Sequence, residues 1–158
     1  MDRLRVLFLC IGNSARSPMA EAILTALTHG KIDVQSAGTA PDAAVHPLAI
    51  STMRDRHRVD IAAHTPRAIG QYVGQHFDYV FTLCDTAAEA CPDFPGDPSH
   101  VHWNFPDPAA VEGPLDVQQH AFDVTAAELA TRLGIWLALP EVRSRVDAFA
   151  ENREEAHQ

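Results

Sequence analysis

The stretch that most constrains this chain is an apolar strand that runs into a cysteine-containing loop and then into a helix. Residues 4–9 form a mostly apolar run, and the loop sequence CIGNSARSP follows at residues 10–18. Cys10 and Arg16 enclose five residues, and the apolar spacing after Pro18 predicts a helix. The N–H groups of such a loop, the positive end of the helix and a guanidinium together favour a bound oxyanion. The stretch therefore predicts an anion cradle with a Cys10 thiolate at its floor, whose pKa the same positive surroundings lower.

The other loop residues fit this interpretation. Gly12 permits a tight backbone path that a side chain would obstruct, and the amide of Asn13 can hold the loop in shape. Ser17 can accept from the first N–H groups of the helix or donate to the Cys10 sulfur. The residues assigned to oxyanion binding are Gly12, Asn13, Ser14, Ala15, Arg16 and Ser17. The plainer alternative is a buried cysteine that ends a strand beside a solvated arginine.

Strand and helix patterns alternate along the whole chain. Apolar runs predict further strands over residues 33–37, 77–83 and 100–104. Helical spacing predicts further helices over residues 47–57, 68–75, 85–90, 116–139 and 141–150. The alternation predicts an α/β fold, with a single domain over residues 1–158 in three layers, α/β/α, around a four-stranded parallel sheet. The last ~8 residues are expected to form a flexible tail.

Chemically reactive residues follow three of the predicted strands. Cys10, Cys84 and Asp107 each come after a strand end, where parallel sheets place their catalytic crevice. Cys84 and Cys91 lie seven residues apart, too far to pair unless the segment between them bends. They are either small buried residues or partners of Cys10 in redox chemistry. The odd total of three cysteines argues against a structural disulfide framework.

Asp107 lies between two prolines in a predicted loop. A rigid loop could aim its carboxyl at the bound oxyanion as a general acid, provided that burial or a neighbouring negative charge raises its pKa. The alternative is a turn-forming aspartate, a common role beside proline. His100 and His102 alternate on the preceding strand, but no cysteine or carboxylate lies in register with them, so we assign no metal site there.

The composition narrows the class of protein. A formal net charge of −9 argues against nucleic-acid binding and leaves the attraction of an anion to the local field of the loop. No apolar run approaches the ~20 residues that span a bilayer, and no charged-then-apolar leader opens the chain. We therefore expect a cytoplasmic monomer that binds neither membranes nor nucleic acid.

Three separate motifs carry a resemblance to a known family. Residues 6–24 resemble the active-site loop and first helix of the low-molecular-weight protein tyrosine phosphatase superfamily. Within them, GNSARSPMAE at residues 12–21 is more similar to the thioredoxin-coupled arsenate reductases. The run TLC at 82–84 with CP at 91–92 resembles the redox segment of those reductases, and HWNFPDPA at 102–109 resembles their acid loop.

The resemblance implies an arsenate reductase of arsenical resistance with the low-molecular-weight phosphatase fold. Cys10 would attack arsenate, and Asp107 would protonate the departing hydroxide or water. Cys84 would then attack Cys10 and release arsenite, and Cys91 would carry the disulfide to the surface. Thioredoxin is the expected reductant, while mycothiol- or glutathione-linked donors stay open. Such an enzyme has no bound cofactor beyond this external thiol donor, with a potassium ion as a possible exception.

The potassium ion is suggested by three positions. Asn13, Glu21 and Ser36 match residues that hold the ion in some relatives. Those relatives carry an acidic residue after a His-Thr pair, whereas Pro66 and Arg67 follow the pair here.

Two other functions stay open. A phosphatase acting on phosphomonoesters through a Cys10 phosphoenzyme needs the same cradle and acid but neither of the other cysteines, and a reductase could retain some of this activity. Phosphotyrosine is disfavoured as its substrate, because Ala109 and Ala110 stand where tyrosine phosphatases of the superfamily carry tyrosines. A thiol module that binds arsenite or senses oxidants without turnover needs the cysteines but not Asp107.

Overall fold

The computed structural model describes residues 2–156 and confirms the α/β architecture. Strands and helices alternate along the chain, as the apolar patterns predict. The strands are β1 (Leu4–Cys10), β2 (Ile32–Gly38), β3 (Tyr79–Thr82) and β4 (Ser99–His102). The helices are α1 (Arg16–Thr28), α2 (Pro47–Thr52), α3 (Asp85–Glu89), α4 (Leu115–Leu137) and α5 (Pro140–Ala156).

The four strands form one parallel sheet in the order β2-β1-β3-β4. The chain moves outward from β1 to β2 and then returns to the other side of β1 for β3. The topological switch therefore lies at the carboxyl ends of β1 and β3, where α/β proteins bind their ligands. Cys10 ends the first of these strands, and Cys84 follows the second.

Alternate residues of β1 face two separate hydrophobic clusters. Phe8 and Cys10 belong to the larger cluster, which also takes side chains from α1, α2 and α4. Leu7 and Leu9 belong to the smaller cluster, which is covered by side chains of residues 69–94. Because successive side chains of a strand point to opposite faces, the two clusters lie on the two sides of the sheet. The predicted three layers follow from this arrangement.

Two predicted helices are interrupted. The helix predicted over residues 47–57 is α2 continued by a π-helical turn at Met53–His57. Of the helix predicted over residues 68–75, only a 3-10 turn at Ile69–Gln71 forms. Gly74 follows it with a φ of 89°, and glycine is among the weakest helix formers.

The ends of several elements also differ from the predictions. The first helix begins at Arg16 rather than at Pro18, and β3 and β4 are shorter than the apolar runs that predict them. α5 continues through residues 151–156 of the predicted tail, and residues 157–158 lie outside the described part of the chain. No helix within residues 2–156 is long and apolar enough to cross a membrane.

Candidate active site

The loop after β1, together with the first turn of α1, forms a cradle of residues 10–17. A second loop, residues 39–46, donates backbone N–H groups to four carbonyl groups of the cradle over 2.8–3.1 Å. These bonds run from Thr39 to Cys10, from Ala40 to Ile11, from Asp42 to Gly12 and from His46 to Ser14. These bonds tie the backbone of the cradle to the second loop from outside. Inside the cradle, the backbone N–H groups of Asn13 and Ser17 point at the Cys10 sulfur.

A fully buried asparagine holds the cradle from behind. Asn13 has a φ of 48°, a left-handed conformation that asparagine tolerates better than most residues. Its Nδ2 donates to Ser17 Oγ at 2.8 Å and to Ser36 Oγ at 3.0 Å. Its Oδ1 accepts from the Arg67 N–H at 2.9 Å and lies 3.0 Å from His64 Nε2. With both ends of its amide satisfied, the Asn13 side chain holds the loop in shape in addition to the backbone bonds from the second loop.

Two glycines allow close approaches around the cradle. A Cβ at Gly12 would collide with the Asp42 carboxylate, and a Cβ at Gly38 would collide with the Ile11 carbonyl oxygen. Asp42 Oδ2 also accepts from Ser14 Oγ at 2.5 Å. The space expected from Gly12 is therefore used by a carboxylate of the neighbouring loop.

Cys10 lies at the floor of the cradle and is only 2% exposed. Its sulfur lies 2.8 Å from Ser17 Oγ. Burial raises the pKa of the Cys10 thiol, although the Ser17 hydroxyl, nearby N–H groups and the Arg16 charge all lower it. The lowered pKa expected from the sequence is therefore wrong for this structure, because desolvation of the thiolate outweighs the positive surroundings.

Arg16 joins the cradle to the loop that carries the predicted acid. Its side chain is buried, and its Nη1 donates to the Phe105 carbonyl oxygen at 2.9 Å. Asp107 is exposed, and its Oδ1 accepts from the Ala109 N–H at 2.9 Å, which caps a 3-10 turn at Pro108–Ala110. Asp107 thus has the turn-forming role that was the plainer alternative, and it also reaches the cavity described next.

The cradle and the acid loop enclose a cavity of about 210 Å³. Its lining consists of Cys10, Ile11, Gly12, Ser14, Ala15, Arg16, Asp42, His46, Asp107 and Ala109. The cavity brings together the predicted nucleophile, guanidinium and acid. The other two predicted loop residues, Asn13 and Ser17, are buried and shape the loop through their side chains.

Asp42 and His46 line the cavity but were not predicted from the sequence. His46 caps α2, with its Nδ1 accepting from the Leu48 N–H at 3.1 Å, and its ring packs on Phe122 at 4.6 Å between centroids. The proline after His46 signals the start of a helix, but no local pattern indicates that this end meets the cradle.

The potassium candidates meet an arginine. Arg67 Nη1 lies 3.3 Å from Glu21 Oε1, and His64 Nδ1 lies 3.3 Å from Glu21 Oε2. Ser36 Oγ donates to Glu21 at 3.2 Å, and Asn13 presents its NH₂ group, rather than its oxygen, to Ser36. These side chains do not fit a potassium ion, because a guanidinium already neutralises the carboxylate. Across residues 2–156, no three or more His, Cys, Asp or Glu side chains are grouped to hold a metal ion.

The structure does not bring the other cysteines into the cavity. All three cysteines are free thiols, and Cys84 is buried in the smaller cluster, on the opposite face of the sheet from Cys10. Cys84 Sγ accepts from the Ala87 N–H at 3.4 Å and so caps α3. Cys91 is half-buried against the same cluster, and burial and the charge of Asp93 raise its pKa.

Comparison with known proteins adds to this geometry. Residues 5–148 match the family model described as low molecular weight phosphotyrosine protein phosphatase. An arsenate reductase of Halalkalibacterium halodurans is 37% identical over 133 residues, which cover 84% of this chain and 94% of that protein. A thioredoxin-dependent arsenate reductase of Corynebacterium glutamicum has a similar structure, with a TM-score of 0.61 and 25% identity over 85% of this chain and 63% of that one. An arsenate reductase in the phosphate binding state gives a TM-score of 0.68 and 27% identity over 85% of this chain and 97% of that one.

Proposed function

Because the chain belongs to the low molecular weight phosphotyrosine protein phosphatase family, whose members are enzymes, we propose that it reduces arsenate through a relay of its three cysteines. One observation carries the proposal: a thiol at the floor of an anion cavity, with two more free thiols just beyond the neighbouring strand. A phosphatase needs only the first thiol. Relatives named arsenate reductases support arsenate as the substrate.

The first step forms an arsenic–sulfur bond. Arsenate binds against the inward N–H groups and the Arg16 guanidinium, which stabilise its charge. Burial raises the pKa of the Cys10 thiol, and the proton that the thiol loses goes to an arsenate oxygen. The sulfur then attacks arsenic while Asp107 protonates the departing hydroxide, which leaves as water. Arsenic remains in the +5 state, and Asp107 is left as a carboxylate.

The second step reduces arsenic. The Cys84 thiolate attacks the Cys10 sulfur, the arsenic–sulfur bond breaks, and its electron pair stays on arsenic, which leaves as arsenite in the +3 state. Cys91 attacks Cys84 and frees Cys10. A dithiol donor, thioredoxin in this proposal, then reduces the Cys84–Cys91 disulfide through a mixed disulfide.

The second step requires movement of residues 84–91, which we call the redox segment. Cys84 and Cys10 point to opposite faces of the sheet, so Cys84 has to pass around the carboxyl end of β3 to reach the Cys10 sulfur. The segment contains a helix of only five residues, and most of its side chains are exposed, so its local opening has a low free energy.

Hydrolysis of small phosphomonoesters is the second candidate function. The cavity that holds Cys10, Arg16 and Asp107 has the groups that a thiol phosphatase requires. That activity would not involve the redox segment.

The deciding experiment compares two assays on the same variants. We expect wild-type protein to oxidise NADPH in an arsenate-dependent manner with thioredoxin and thioredoxin reductase, and to form a Cys84–Cys91 disulfide detected by intact-mass mapping. Cys84→Ser and Cys91→Ser should lose multiple turnover but keep hydrolysis of p-nitrophenyl phosphate. Cys91→Ser should also trap the Cys10–Cys84 disulfide after one turnover.

Other thiol donors distinguish a wrong choice of reductant from a wrong choice of reaction. Turnover only with a glutathione- or mycothiol-linked system would change the donor and leave the reductase proposal standing. Hydrolysis without arsenate turnover in any of these systems would instead assign the protein to the phosphatases.

A further inference from the structure

A hydrogen-bonded chain of three side chains brackets Cys84 and has no part in the steps above. His102 Nε2 lies 2.9 Å from Asp85 Oδ1, and His102 Nδ1 lies 2.8 Å from Thr82 Oγ1. Thr82 and His102 are direct partners across β3 and β4. One imidazole thus links the residue after Cys84 to a buried residue two positions before it.

This arrangement fixes the imidazole and, through it, the start of α3. A carboxylate only accepts hydrogen bonds, so Nε2 donates to Asp85, while the Thr82 hydroxyl can either donate to or accept from Nδ1. Both bonds therefore persist whether the ring is neutral or charged. Asp85 is the first residue of α3, and Cys84 caps that helix, so His102 ties the first turn of the redox segment to the edge of the sheet.

The thiol chemistry displaces Cys84, the residue next to this bond. Cys84 has to leave its capping position to reach Cys10, and Asp85 moves with it. A Cys84–Cys91 disulfide also requires the short helix between the two residues to bend. In the dithiol form, Cys84 Sγ caps the start of this helix and Cys91 lies beyond its end. The Asp85–His102 bond is present in the dithiol form, beside the residue that these steps displace.

We infer that the Asp85–His102 pair is a latch that stabilises the dithiol form of the redox segment and so sets how readily Cys84 and Cys91 form a disulfide. His102 is a positioning residue in this inference, which rests on the proposed function in assuming that these two thiols pair. Loss of the latch makes the disulfide more favourable, because only the dithiol form loses an interaction.

The test is the thiol–disulfide equilibrium with glutathione, measured in a Cys10→Ser background by acid quenching, alkylation and intact mass. One glutathione disulfide oxidises the two protein thiols and yields two glutathione thiols. We expect His102→Ala and Asp85→Asn each to raise the equilibrium constant by about 2- to 5-fold, the range of a partly exposed ion pair. The double variant should rise no further than the larger single variant, because both remove the same bond.

Matched variants exclude general effects. His100→Ala removes a histidine from the same strand, and Glu89→Gln removes a carboxylate from the same helix; neither should change the equilibrium. His102→Gln keeps a side-chain N–H and should fall between wild type and His102→Ala. Effects of Asp85 and His102 that multiply independently, or that equal those of the controls, would overturn the latch.

The result for the latch can be distinguished from the result for the proposed arsenate reduction. A wild-type protein that forms the Cys84–Cys91 disulfide with glutathione but never turns over arsenate would refute the reductase and keep the latch testable by the same cycle. Arsenate turnover with unchanged equilibria in the Asp85 and His102 variants would refute the latch and keep the reductase.

Discussion

The cradle and the redox segment both follow the carboxyl ends of the central strands, β1 and β3, but they are held in place in different ways. In the cradle, Asn13 is fully buried with partners on both ends of its amide, and carbonyl groups are bonded to a second loop. In the redox segment, only Cys84 and Ala87 are buried, and the helix has a single turn. The cradle is therefore fixed by many interactions, whereas the redox segment depends on a few.

This difference matches what each region has to do in the proposed reaction. Oxyanion binding and attack by Cys10 gain from groups that are fixed in place before the charge develops. The transfer of a disulfide from Cys10 to Cys84 and then to Cys91 needs large displacements, which a rigid segment would oppose. The rigid cradle thus serves the first step of the proposed reaction, and the loosely held redox segment serves the second.

The largest effect is expected at the acid of the cradle. Asp107→Asn should lower kcat for p-nitrophenyl phosphate hydrolysis and for the first arsenate turnover by roughly 10²- to 10⁴-fold, with little change in KM. Asparagine can still accept from the Ala109 N–H, so the turn is preserved. Asp42→Asn is the matched control, because Asp42 is the other carboxylate that lines the cavity. A loss below tenfold would leave Asp107 only its role in the turn.

The second-largest effect is expected on stability, where substitutions in the cradle should cost more unfolding free energy than substitutions in the redox segment. Asn13→Ala leaves several buried polar groups without partners and should lower the free energy of unfolding by about 2–4 kcal/mol, measured by urea denaturation. Asn13→Gly removes the same bonds without the cost of alanine at a positive φ, so the two variants separate strain from hydrogen bonding. Asp85→Ala, in the exposed redox segment, should cost less than about 1 kcal/mol. Equal losses for Asn13→Ala and Asp85→Ala would remove the contrast between the regions.

The sequence predicts the parts of the site that are local along the chain. Cys10, Arg16 and the residues between them lie on one strand–loop–helix unit, whose pattern is visible in nine residues. The contact of Ser14 with Asp42 spans 28 residues and that of Asn13 with His64 spans 51, so no local pattern reveals either. The surroundings of Cys10 show the same limit, because the sequence displays both the apolar strand and the positive groups but not which of them decides the direction of its pKa shift.

The face on which Cys84 lies depends on register. Leu9 pairs with Thr82 across β1 and β3, so Cys84 is displaced by one residue from the partner of Cys10 and points the opposite way. A shift of a single residue would place both thiols on one face. Apolar runs alone do not determine such a shift. The sequence therefore predicts that both thiols follow neighbouring strand ends, but it does not predict on which face of the sheet each thiol lies.

A smaller effect is expected at the thiol itself. Ser17→Ala removes a hydrogen bond that lowers the pKa of Cys10, so the pKa should rise further and the thiolate fraction at pH 8 should fall. Alkylation of Cys10 by iodoacetamide, followed by mass spectrometry, should slow by about fivefold at that pH, which corresponds to one hydrogen bond. Ser14→Ala is the control, because that hydroxyl donates to Asp42 instead. Equal slowing in both variants would mean that the effect comes from disturbance of the loop.

The smallest effect is expected from potassium. At constant ionic strength, exchange of potassium for sodium should change kcat/KM by less than about twofold, because the Arg67 guanidinium already lies 3.3 Å from the Glu21 carboxylate. Arg67→Ala removes that charge but keeps the backbone N–H that donates to Asn13, so the cradle should stay folded. This variant should lose activity and regain part of it with potassium, whereas Arg54→Ala, at an exposed ion pair, should do neither. A several-fold response of the wild-type protein to potassium would mean that Arg67 yields the Glu21 carboxylate to the ion, and the cradle would then be less fixed than its hydrogen bonds indicate.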